Sequence, residues 1–164
     1  MKQFRLIRSG SDDAMRNMEL DEKIFHRYME DGIPVFRVYG WESPSFTCGV
    51  SQKPENEIDM KRCALDGVGI AKRLTGGGVL FHNNEITYSL VCDKEDIGEP
   101  EAVFVSYRKI CAFLISFYRS LGLDASFAFE AEDFKSRCVP HELCSASREK
   151  YDIVINGKKI GGNA

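Results

Sequence analysis

At 164 residues the chain has the length of a single domain, and 43% apolar residues supply a core without disulfide or metal staples. Its 22 basic against 25 acidic residues, a net charge of −3, give no global basic field for nucleic acid or an anionic membrane, and no apolar run reaches the roughly 18 to 20 residues of a membrane span. The charged start Met1-Lys2-Gln3-Phe4-Arg5 carries no targeting signal, and six cysteines without C-x-x-C spacing read as the reduced thiols of a soluble, cytoplasmic protein.

In chain order, Phe4 to Ile7 alternate as an opening strand, and Ser9 through Asp13 offer turn and N-cap chemistry for a helix that runs to about Glu30. Met15, Met18, Ile24, Phe25, Tyr28 and Met29 fall near one face of that helix, so the spacing predicts a buried stripe closed by Asp31-Gly32. Val35 to Tyr39 alternate as a half-buried strand, and Phe46 to Val50 read as its hairpin partner across the Pro44 turn. A short helix is expected around Glu57 to Leu65, then a strand from Val68 through Leu74 into a glycine turn. Two more strands follow, Val79 to His82 and Glu85 to Cys92, with a tight-turn signal at Asn83-Asn84.

The spacing of Phe104, Tyr107, Cys111, Leu114, Tyr118 and Leu121 predicts a long amphipathic helix over 101–121, stopped by Gly122. Asp124 to Phe129 alternate again. The segment 130–149 has no clean period, which marks it as a place for function. Asn156-Gly157 between Tyr151–Ile155 and Lys158–Ile160 is a strong hairpin signal. No repeat, low-complexity tract or linker divides the chain, so residues 1–164 read as one α/β domain, with mixed helices and strands.

Three clusters carry chemistry. In Lys72-Arg73-Leu74-Thr75-Gly76-Gly77-Gly78 the glycines let backbone approach a ligand and present its N–H groups, yet the run lacks the Lys-Ser/Thr ending of a P-loop and the following helix of a dinucleotide fingerprint. In Gly157-Lys158-Lys159-Ile160-Gly161-Gly162 strand alternation sends the two lysines to opposite faces, so one of them can serve a site while the other stays in water. Cys144 stands in an aperiodic segment, His141 to Ser147, and is a better nucleophile candidate than the five other cysteines, of which Cys92 and Cys111 sit in apolar runs. A cation close to Cys144 would favour the thiolate that attacks thioesters.

Taken in order, these clusters resemble the superfamily of lipoate-protein ligases, octanoyltransferases and biotin-protein ligases. Asn17 to Glu22 resemble its first-helix segment, and Trp41-Glu42-Ser43-Pro44 with Thr47, Gly49 and Gln52 resemble its early hairpin. Lys72 to His82 resemble the acyl-pocket motif, and Asp152-Ile153 with Gly157 to Ala164 resemble the lysine motif. The resemblance spans nearly the whole chain and implies a biotin/lipoate-ligase-like α+β fold, a mixed, largely antiparallel sheet with packed helices. Cys144, seven residues before Tyr151, together with Asn84 to Ser89, is most similar to the cysteine-dependent octanoyltransferases.

On that resemblance Cys144 and Lys159 are the catalytic residues; Arg73, Thr75, Gly76, Gly77, Gly78, His82 and Gly161 bind substrate; and no metal is involved. The implied reaction moves an octanoyl group from acyl carrier protein through a Cys144 thioester to a lysine of a lipoyl domain, in 2-oxoacid dehydrogenases or the glycine cleavage H protein, without a cofactor. An ATP- and Mg-dependent lipoate ligase is the alternative, and a noncatalytic acyl- or lipoyl-domain-binding module is a third. Both partner proteins are expected to be acidic, which makes Lys53, Lys72, Lys135, Arg137 and Lys158 candidate contacts. Members of the superfamily usually continue past the position of Ala164, so the resemblance also implies an incomplete C-terminal part.

Overall fold

The computed structural model describes residues 3–98, 102–130 and 150–162. The chain falls into two compact units, Met1–Asp96 and Ile97–Ala164. Among the described residues no helix is long and apolar enough to cross a membrane.

The first unit holds two three-stranded sheets. In one, β2 (Val35–Trp41) lies between β1 (Arg5–Asp12), parallel to it, and β6 (Thr87–Val91), antiparallel. In the other, β3 (Ser45–Cys48) lies between β4 (Gly69–Lys72), parallel, and β5 (Leu80–His82), antiparallel. The hairpin expected between β2 and β3 is therefore absent. No two-residue Asn-Gly type of turn joins them; instead the Glu42–Pro44 corner, pinned by the Glu42 N–H to the Asp12 carbonyl at 3.0 Å, carries the chain from one sheet into the other. The Asn83-Asn84 turn, with Asn84 at φ 49°, likewise passes between sheets.

Ser9 to Asp12 do not form a turn. The strand runs on through an irregularity between Arg8 and Ser11, where Gly10 takes φ 71° and the pairing resumes opposite Gly40 and Trp41. Helix α1 (Ala14–Asp31) starts on Asp13, whose carboxylate accepts from the Arg16 N–H, and ends at Gly32 in the left-handed conformation. The expected helix over 57–65 is two pieces, α2 (Pro54–Glu57) and α3 (Met60–Asp66), because Asp59 caps a fresh start by accepting from the Arg62 N–H.

The stripe expected on α1 is only in part its inward face. Ile24 is buried and Met18 packs against the buried Ala14, Tyr39, Trp41 and Ala71, whereas Met15, Phe25 and Met29 are exposed and the buried Asn17 lies outside the expected stripe. The inward face is partly polar because it meets Arg37, a guanidinium with only 1% exposure. Arg37 donates to Ser9 Oγ, to Asn17 O and Oδ1, and to Asp21 Oδ1, all within 2.9 Å, and lies 3.8 Å from the centroid of the Tyr39 ring. Asn17 in turn donates from Nδ2 to the carbonyls of Asp12 and Gly40. A buried charge is tolerable only when each donor is met in this way, so the helix is fixed on the sheet by hydrogen bonds that hydrophobic spacing does not register.

The second unit contains α4 (Val103–Ser120) and an antiparallel sheet of β7 (Ala125–Phe127), β8 (Ile153–Ile155) and β9 (Lys158–Gly161), with β8 in the middle. The strand expected over 124–129 ends at Phe127, and a short 3-10 turn takes over. Cys111 and Ile115 of α4 pack with Ala125, Phe127 and Ile153, and Tyr107, Ile110, Leu114 and Tyr118 close round them. Full burial of a side chain such as Ile153 contributes about 1.5–3 kcal/mol. The hairpin joining β8 to β9 turns on Asn156 and Gly157, both with positive φ, as their identities predict. The observed fold is thus a mixed α/β arrangement rich in antiparallel pairs, as the sequence implies.

Candidate functional site

In the first unit the glycine turn leaves β4 and re-enters at β5, so the central strand β3 fixes both of its ends. The Arg73 N–H donates to the Cys48 carbonyl at 2.8 Å, and the Val50 N–H donates to the Thr75 carbonyl at 2.9 Å. Gly49 makes this approach feasible: a Cβ there would lie 2.2 Å from the Gly77 carbonyl oxygen. Gly77, at φ 93°, is where the turn demands glycine, whereas Gly76 faces open space.

Arg73 holds the turn from within. Its Nη1 donates to the carbonyl and the hydroxyl of Thr47, 2.7 Å each, and its Nη2 donates to the carbonyls of Gly78 at 2.8 Å and Gly76 at 3.2 Å. Bonds from a charged donor are worth about 1.5–3 kcal/mol each. The expected substrate-binding arginine thus directs its two Nη groups to Thr47 and to the backbone that shapes the turn. Thr75 is exposed and contributes its carbonyl to the same framework.

His82, a substrate-binding residue on the resemblance, is buried. Its Nε2 lies 2.7 Å from Thr47 Oγ1, its Nδ1 lies 2.6 Å from Glu85 Oε1, and its ring stacks on Trp41 with centroids 3.9 Å apart and planes 11° from parallel. Thr87 donates to Glu85 and accepts from the Trp41 indole N–H, tying the ring stack to the carboxylate.

Beside the turn is a cavity of about 300 Å³, lined by Met15, Met18, Glu19 and Glu22 of α1 and by Val50, Ala71, Lys72, Arg73 and Leu74. Met15, read from spacing as core, is instead exposed in the apolar wall of this cavity, and Met18 joins that wall while packing on the buried Ala14, Tyr39, Trp41 and Ala71. Unbranched thioether side chains adapt to an irregular or flexible guest, and the pocket is of the size class that holds small organic ligands, about 300–1,000 Å³.

In the second unit β9 separates its lysines as alternation predicts: Lys158 is exposed and Lys159 is half-buried. The Lys159 Nζ lies 2.9 Å from Asp152 Oδ2, and Asp152 is 1% exposed. A carboxylate so withdrawn from water requires a cation. Gly162 abuts this pair, since a Cβ on it would lie 3.4 Å from both Cε and Nζ of Lys159 and 3.6 Å from Asp152 Oδ1. Gly161, the glycine singled out from sequence, stands opposite Ile153 instead. Sequence alone assigns no role to Asp152 or Gly162, although the tight Asn-Gly hairpin between Asp152 and Lys159, seven positions apart, puts these two within reach of each other.

Cys48, Cys63 and Cys111 are buried, and burial pushes the thiols of Cys48 and Cys92 above the ordinary range. None of these four has the electropositive, accessible setting of a nucleophile. Cys144, with Cys138, Lys135 and Arg137, lies outside the described residues. Lys53, Lys72 and Lys158 are exposed.

Residues 13–164 match the family described as the lipoyl protein ligase A/B catalytic domain. The chain belongs to that family. Curated relatives include the octanoyltransferase LipM of Kyrpidia tusciae, 34% identical with 100% of this chain and 61% of the relative covered, and that of Geobacillus kaustophilus, 36% identical with 98% and 59% covered. Among solved structures, a lipoate-protein ligase A bound with ATP superposes with a TM-score of 0.68 at 25% identity, covering 97% of this chain and 58% of that one. The chain spans about 60% of the length of the curated relatives it matches. Family membership accounts for the order of the parts: the Arg73 turn and the Lys159 hairpin are two of the motifs that the sequence resemblance rests on, and each has its own buried polar support.

Proposed function

We propose that this chain transfers an octanoyl group from acyl carrier protein to a lysine of a lipoyl domain, the two units acting as parts of one catalytic domain. A single family match running across both units supports that joint reading, and so do relatives named as octanoyltransferases. The observation that carries the proposal is Lys159, an ammonium fixed by the buried Asp152 on a tight hairpin.

Cys144 is the nucleophile. Its thiolate attacks the carbonyl of the octanoyl thioester, the carbon–sulfur bond to the carrier breaks, the carrier leaves as a thiolate that takes a proton from water, and the octanoyl group is left on the enzyme sulfur. The uncharged ε-amine of the acceptor lysine then attacks this second thioester; the amide forms as the nitrogen gives up one proton to water and the carbon–sulfur bond breaks to return the Cys144 thiolate. Lys159 favours the thiolate and polarises the carbonyl as negative charge develops on its oxygen. The cavity between α1 and the Arg73 turn receives the alkyl chain, with Met15, Met18, Val50, Ala71 and Leu74 replacing water around it. Arg73 lines that cavity, and Thr75, Gly76, Gly77, Gly78 and His82 belong to the framework of the turn beside it. The exposed Lys72 and Lys158 are suited to acidic partner surfaces.

Incubation of the full chain with octanoyl-acyl carrier protein and a lipoyl domain, without ATP, is expected to add one octanoyl group to the lipoyl-domain lysine. The Lys159→Ala variant is expected to lose that transfer. No transfer by the wild-type chain would reject the proposal. The likeness to an ATP-bound ligase favours a second reading, ATP-dependent lipoate attachment; pyrophosphate release that depends on lipoate and survives Cys144→Ala would establish it instead.

A further inference from the structure

Arg73 and the glycine turn are not held by their own segment alone. The hydroxyl of Thr47 accepts from Arg73 Nη1 and faces His82 Nε2, while Glu85 faces His82 Nδ1. A carboxylate accepts only, so Nδ1 carries the proton and donates to Glu85. With one proton on the ring, Nε2 is then an acceptor, and the Thr47 hydroxyl, already accepting from Arg73, donates to it. Every hydrogen in the series points the same way, from the guanidinium through Thr47 and His82 to the carboxylate. The Trp41 ring fixes the plane of the imidazole, and Thr87 links the Trp41 indole to the same carboxylate oxygen.

We propose that Glu85, His82 and Thr47 are positioning residues: they set the orientation of Arg73, which lines the acyl cavity, and through it the conformation of the Gly76–Gly78 turn. Glu85 thereby acts on acyl-donor binding without reaching the donor. His82 serves as the link, with both ring nitrogens committed, and does not move protons for the reaction. The part concerning acyl binding rests on the proposed transfer; the part concerning the turn does not.

Two measurements on the full-length chain separate these. Hydrogen–deuterium exchange over residues 75–79 is expected to speed up at least tenfold in Thr47→Val, which keeps the side-chain shape and deletes the link, and in Glu85→Ala, with the β1–β2–β6 sheet unchanged. Steady-state kinetics with octanoyl-acyl carrier protein are expected to show KM raised about tenfold in both variants and kcat within about threefold of wild type. The conservative variants Thr47→Ser and Glu85→Gln, each of which restores the missing donor or acceptor, are expected to recover most of both effects. Unchanged exchange in Thr47→Val and Glu85→Ala would overturn the proposal, and so would a fall in kcat at constant KM, which would make His82 a proton carrier. Faster exchange in a chain without transferase activity would leave the positioning relay standing and reject the proposed function.

Discussion

The Lys159 ammonium sits 2.9 Å from a carboxylate of Asp152 that is almost wholly withdrawn from water. Neither member is replaceable on its own. Lys159→Met removes the cation beside a buried carboxylate and is expected to lower stability by about 3–5 kcal/mol, an upper figure because the lysine end is partly solvated. Adding Asp152→Asn to it is expected to recover most of that loss without restoring acyl transfer. Chemical denaturation of the two variants, read beside a transfer assay, checks both halves.

At the glycine turn the guanidinium matters more than the charge. Lys in place of Arg73 keeps one positive charge but cannot span Thr47, Gly76 and Gly78 together. Arg73→Lys is expected to cost about 1–3 kcal/mol and to weaken binding of an octanoyl donor, measured by thermal unfolding and by KM.

Two glycines close in space should respond oppositely. Gly49→Ala drives a methyl group to 2.2 Å from the Gly77 carbonyl oxygen, so the turn and β3 must separate; the cost is expected to be about 1–3 kcal/mol or more. Gly76→Ala meets nothing within 4 Å and is expected to unfold within about 0.5 kcal/mol of wild type. Urea midpoints of the two variants supply the comparison.

Thiol chemistry offers a pH-resolved test. Burial raises the Cys48 and Cys92 thiols, so the folded state binds their protons more tightly than the unfolded one. Their contribution to stability is fully present below the ordinary thiol pKa and is lost as pH climbs through the raised folded value. Brief alkylation of the native chain near neutral pH, followed by peptide mapping, is expected to modify Cys144 while sparing Cys48 and Cys111. Label on Cys48 ahead of Cys144 would contradict the assignment of the nucleophile.

What the sequence made legible was local. The Asn156-Gly157 hairpin, the apolar face of α4 and the separation of Lys158 from Lys159 follow from turn chemistry and periodicity within a few residues. What it hid was non-local or polar. The division of β2 and β3 between two sheets depends on which distant strands claim each edge, and nothing near the Pro44 corner encodes that. The inward face of α1 escaped a hydrophobic reading because Asn17 and Asp21 are drawn in by Arg37 from another strand. Arg73 was legible as a site residue but not as a clamp, since its partners are backbone carbonyls and a threonine 26 positions away.

The most direct test of the account is whether an octanoyl group is ever carried on Cys144. Intact-mass analysis of the full chain after exposure to octanoyl-acyl carrier protein, with no acceptor present, is expected to show a single octanoyl adduct that neutral hydroxylamine removes and that Cys144→Ala does not form. A wild-type chain that stays unmodified, or an adduct that persists in Cys144→Ala, would contradict it.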